Sequence, residues 1–76
     1  MTAPDMTPEE RVEIIDMLVR RGVHVYTFYK SRRLVEIRQE GGRVIIKYAD
    51  GGTDAISAAH FLRRKFIAVL YFFSAS

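Results

Sequence analysis

Val12, Ile15, Leu18 and Val19 recur at spacings of three and four residues, with Ile14 widening the apolar stripe, and this predicts an amphipathic helix over residues 8–21. Its start is marked by Thr7-Pro8-Glu9-Glu10. The Thr7 hydroxyl can accept from the first free backbone N–H groups, Pro8 suits the first helical position, and Glu10 can reach back to the cap. Arg20-Arg21-Gly22 gives a basic last turn and a flexible stop. The six residues before Thr7 show no periodicity and are expected to fray.

Val23 to Tyr29 is a run of β-branched and aromatic residues that predicts a strand, closed by the polar break Lys30-Ser31-Arg32-Arg33. Between Leu34 and Tyr48 the chain alternates about Gly41-Gly42, a competent two-residue hairpin turn. Setting Glu40 opposite Arg43 pairs Arg38 with Ile45, Glu36 with Lys47, Gln39 with Val44, Ile37 with Ile46 and Val35 with Tyr48. One face then holds Val35, Ile37, Val44, Ile46 and Tyr48, and the other holds two opposite-charge pairs. A slip of one residue would mix the two sets.

Asp50-Gly51-Gly52-Thr53 reads as a turn, with Asp54 or Ser57 able to cap a following helix. Phe61, Leu62, Phe66, Val69, Leu70 and Phe73 would form its apolar stripe, leaving His60, Arg63 and Arg64 outward. Ile67, Tyr71 and Phe72 fall outside that stripe. A strand from Phe66 to Phe73 is the rival reading by propensity, but no turn residue separates it from the helical pattern, which is preferred.

The expected order is α-β-β-β-α: an α+β fold with a three-stranded antiparallel sheet and the N- and C-terminal helices packed on one face. Double-stranded-RNA-binding domains share that order but open their last helix on lysines, where this chain has Ser57-Ala58-Ala59-His60. A chain of 76 residues supplies one domain, taken as residues 7–76.

Composition narrows the chemistry. With 0 Cys there are no disulfides, thiolate metal sites or thiol nucleophiles, which suits a reducing, cytoplasmic setting. The N-terminus carries Asp5, Glu9 and Glu10 where a secretory signal would be basic and then apolar. The longest apolar run, Phe66 to Phe73, is far shorter than the ~20 residues of a spanning helix. Neither His24 nor His60 has a second ligand at short spacing, so no metal is expected. The acids of the first helix suit its dipole, and Glu36 and Glu40 have cross-strand partners. The glycine pairs need no phosphate to explain them and no nucleophile motif surrounds the serines. No enzyme, cofactor or small-molecule substrate is therefore expected.

What remains is charge and aromatic surface. The 12 Lys and Arg outnumber 9 Asp and Glu, for a formal charge of +3. The excess lies after residue 21, at Lys30, Arg32 and Arg33 between two strands and at Arg63, Arg64 and Lys65 near the end. Four Tyr and five Phe exceed what so small a core absorbs. Tyr48, Phe61, Phe66 and Phe73 are expected inside, whereas Tyr26, Phe28, Ile67, Tyr71 and Phe72 are expected to form an apolar surface rimmed by cations.

Such a surface fits a non-enzymatic interaction module: an inhibitor, adaptor or accessory subunit of a larger macromolecular complex, of the kind phages and mobile elements encode, or a homodimer. The alternative is nucleic-acid binding, with Lys30, Arg32, Arg33, Arg63, Arg64 and Lys65 on the phosphate backbone and tyrosines stacked on unpaired bases.

Overall fold

The Thr7 cap forms as the sequence implies. In the computed structural model, which describes residues 6–69, the Glu10 amide donates to Thr7 Oγ1 at 3.2 Å and the Thr7 amide to Glu10 Oε1 at 3.4 Å. Helix α1 runs Pro8–Arg20 and buries Val12 and Ile15, while Glu9 and Glu10 complement its dipole. Gly22, at φ 84°, turns the chain into strand β1, His24–Thr27.

Strands β2 (Leu34–Glu40), β3 (Arg43–Tyr48) and β4 (Thr53–Ser57) form an antiparallel sheet in that order. The chain then makes a short helix α2, Ala58–Arg63, and strand β5, Phe66–Val69, which pairs antiparallel with β1. A single bridge from Tyr26 to Arg33 links this two-stranded ribbon to the start of β2. The fold is α+β, with one three-stranded antiparallel sheet, two helices and a small second sheet.

The hairpin register holds from Glu36↔Lys47 to Glu40↔Arg43. Ile37, Val44, Ile46 and Tyr48 are buried as expected, and Lys47 meets Glu36 at 3.4 Å on the opposite face. Glu40, although the partner of Arg43 in the ladder, accepts from Arg38 on its own strand at 2.7 Å. The register fails at one end. A bulge between Leu34 and Glu36 sets Leu34 opposite Tyr48 and turns Val35 outward, leaving Val35 46% exposed and Leu34 3%. The extra residue lets β2 meet both β3 and the arriving bridge from β1.

The third strand of the sheet is Thr53–Ser57, not the segment expected from residues 23–29, and the long last helix is replaced by α2 and β5. Ser57 is the cap, accepting from the His60 amide at 3.1 Å, so Asp54 belongs to a strand. Helix α2 stops where Arg64 turns extended at φ −74° and ψ 142°. Phe66-Ile67-Ala68-Val69 then finds a ladder partner in His24–Thr27, and pairing realises the β propensity of that run. Phe73, expected in the core, lies outside the described residues.

Val12 and Ile15 of α1 and Phe61 of α2 share one core with Val25, Leu34, Ile37, Val44, Ile46 and Tyr48. Arg11 fastens the two helices together. Its guanidinium donates to the carbonyls of Phe61 and Arg64, capping the last turn of α2, and lies 4.9 Å from the Phe61 ring centroid and 5.3 Å from that of Phe66. Burial lowers its pKa from the usual guanidinium value. No helix among the described residues is long and apolar enough to cross a membrane.

A cationic groove walled by aromatic residues

The β1–β2 connection and the segment from α2 to β5 face one another across a groove of about 660 Å³. Phe28, Tyr29, Lys30 and Arg32 line it from the connection, His60, Arg63, Arg64 and Lys65 from the other side, with Tyr48 and Asp54 between. Two segments more than thirty positions apart in sequence are tied directly together, the Phe28 amide donating to the Lys65 carbonyl at 3.0 Å.

A charged network holds the floor. The Tyr48 hydroxyl donates to Asp54 Oδ2 at 2.7 Å, Arg64 Nη1 donates to the same oxygen at 3.2 Å, and Arg32 Nη1 lies 3.8 Å from it. Arg32 also forks onto Asp50 through Nε at 3.0 Å and Nη2 at 3.2 Å, with its Cζ 3.8 Å above the Tyr48 ring. Gly52 makes room for this: a β-carbon there would collide with Arg32 Nη2, and its amide donates to Asp50 Oδ1 at 2.7 Å.

These contacts set the protonation states. Burial, then the hydrogen bond to Asp54, pushes the Tyr48 phenol up to about 12. The Tyr48 hydroxyl, followed by Arg64 and Arg32, holds Asp54 below the ordinary carboxylate range, and Arg32 with the Gly52 amide does the same for Asp50. Asp54 is thus a fixed counter-ion whose Oδ2 is already engaged by Tyr48 and Arg64. Lys30, Arg63 and Lys65 are exposed and form no ion pair among the described residues. Lys30 Nζ lies 5.5 Å from the Tyr29 ring centroid and Lys65 Nζ 5.8 Å from that of Phe28. Such an arrangement can receive anions alongside flat apolar groups.

Of the six cations singled out by sequence, Lys30, Arg32, Arg63, Arg64 and Lys65 line this groove. Arg33 does not. It borders a separate depression beside Val19 and His24, and its carbonyl accepts from the Ala49 amide at 2.9 Å. Of the apolar set, Phe28 stands on the groove, while Tyr26 and Ile67 face each other across the β1–β5 ladder, Ile67 at 44% exposure. Tyr71 and Phe72 lie outside the described residues.

Asp54 and Arg11 acquire roles that sequence reasoning did not give them, whereas Tyr29, one of the tyrosines expected beside the cations, does line the groove. The alternation of Asp54 and Ile56 against Thr53, Ala55 and Ser57 was the available signal for a fourth strand, and it was masked by the capping motif that overlaps it. No three metal-ligating side chains converge among the described residues. No known protein family, curated protein or solved structure matches this chain.

Proposed function

We propose that the protein is a non-enzymatic nucleic-acid-binding module whose groove receives the phosphate backbone. The observation that carries this reading is the convergence of Lys30, Arg63 and Lys65, without ion pairs among the described residues, beside the exposed rings of Phe28 and Tyr29. Arg32 and Arg64 are held by Asp50 and Asp54 and shape the floor. Cation clusters of this kind bind polyanions by releasing condensed counter-ions, so affinity falls as salt rises. A cytoplasmic setting accords with the cysteine-free sequence.

The test is oligonucleotide affinity across a salt series for the wild type and for Lys30→Gln, Arg63→Gln and Lys65→Gln combined. All three side chains are exposed, so the variant should fold normally. Expected is a log–log salt slope of about −2 for three phosphate contacts on a single strand, close to zero in the triple variant. Equal slopes in the two proteins would refute the assignment.

A second reading rests on the ribbon. Tyr26 and Ile67 are ladder partners, and Phe28 and Lys65 continue the line, giving an apolar strip with a basic end. This supports an adaptor or inhibitor that docks on a protein or pairs with a second copy of itself. Light scattering across a concentration series, with Ile67→Asp as the control, tests the self-association form. A wild type that stays monomeric at every concentration would exclude that form.

A further inference from the structure

The connection that carries Phe28 and Tyr29 has an unusual backbone. Lys30 and Ser31 both lie in the left-handed region, at φ 67° and 48°, the consecutive positive angles of a tight turn between antiparallel segments, here adopted by two non-glycine residues at a cost in strain. One buried side chain braces it from within. Thr27 is 4% exposed; its Oγ1 donates to the Tyr29 carbonyl at 2.6 Å and accepts from the Arg32 amide at 3.0 Å. The Thr27 amide closes the ring, donating to the Arg32 carbonyl at 2.9 Å. The turn closes the β1–β2 connection beside the Tyr26–Arg33 bridge, and with two strained residues and a buried hydroxyl it also holds two rings in water, Phe28 at 62% and Tyr29 at 77% exposure.

We propose that this turn is a pre-formed stacking platform for an unpaired base, with Thr27 as its positioning residue. The inference rests on the nucleic-acid reading above and deepens it, naming single-stranded nucleic acid as the ligand. Exposed rings flanked by Lys30 and Lys65 match the alternation of flat base and charged phosphate in a single strand, whereas a duplex keeps its base faces covered. A turn already fixed before binding loses less conformational freedom when the base arrives.

The probes are fluorescein-labelled oligothymidylate, oligouridylate and an abasic strand of the same length, which keeps the phosphates and lacks the bases, read by anisotropy at constant salt. The wild type should bind at least one base-bearing strand about tenfold more tightly than the abasic strand, the scale of a single base–aromatic stack. Tyr29→Ala and Thr27→Val should bring that ratio to about one to two, leave abasic affinity within about twofold, and Thr27→Ser should restore it, since it keeps the hydroxyl.

A wild-type ratio near one, or a ratio unchanged by Tyr29→Ala or by Thr27→Val, overturns the platform while leaving phosphate binding intact. Failure to bind any strand, abasic included, overturns the nucleic-acid reading itself. Backbone order parameters of the free wild type test pre-formation without a variant: residues 28–31 should reach about 0.85, as in rigid backbone, and values below about 0.6 overturn it.

Discussion

Replacing Asp54 with Asn should move stability and binding in opposite directions. Asp54 accepts from Tyr48 and Arg64 at 2.7 and 3.2 Å, and Tyr48 is buried. A hydrogen bond to a charged acceptor contributes about 1.5–3 kcal/mol and a neutral one about 0.5–1.5 kcal/mol, so loss of the charge costs about 1–1.5 kcal/mol at Tyr48. The partly exposed pair with Arg64 adds about 0.5 kcal/mol. The total of about 2 kcal/mol corresponds to a Tm lower by roughly 8–16 °C in a domain this small. Binding should respond the other way, because Arg64 is released into the groove as a fourth available cation. The salt slope on a single strand should steepen from about −2 to about −3. Differential scanning calorimetry and a salt titration of the same preparation give both numbers. Weakened binding by a folded variant, or an unchanged Tm, would refute the assignment of Asp54 as internal counter-ion.

Three further outcomes follow from the geometry. The bulge predicts that Leu34→Ala costs about 2–5 kcal/mol by chemical denaturation while the neighbouring Val35→Ala stays under about 1 kcal/mol; the reverse order would restore the unbulged register. Because Asp50 and Asp54 are held below their unfolded values, the stability they contribute is present above about pH 4 and is lost as pH falls through their folded values. Asp54→Asn should therefore flatten the acid limb of a Tm-against-pH curve, and an unchanged limb would show that other carboxylates govern it. The raised Tyr48 has the opposite sign, its contribution being complete below about pH 10 and lost as pH climbs toward about 12, a loss that Tyr48→Phe should remove from the alkaline limb.

Reading the chain from sequence succeeded where local chemistry and tertiary demand coincide. The Thr7 capping box and the Glu36–Glu40 ladder are specified by residues a few positions apart, and both form as expected. At Leu34-Val35 either residue is apolar enough to face the core, so alternation alone could not reveal the bulge that chooses between them. After Ser57 the periodic apolar residues satisfy a helix on paper, yet the partner of Phe66–Val69 is His24–Thr27, about forty positions away and without a signature in either segment alone. The cations were visible as two clusters, but their common groove depends on that same long-range pairing. Thr27 carries no sequence signal at all: a β-branched residue in a strand is unremarkable until its hydroxyl is seen holding the turn beyond it.

An amide chemical-shift titration of the isotopically labelled protein with short oligouridylate and oligothymidylate tests the central claim most directly, since it places the ligand residue by residue. Perturbed amides should cluster at residues 27–32 and 60–65, on the two walls of the groove, and fade as salt is raised. Perturbations confined to Tyr26, Ile67 and the rest of the β1–β5 ribbon, or no perturbation by either strand at low salt, would contradict it.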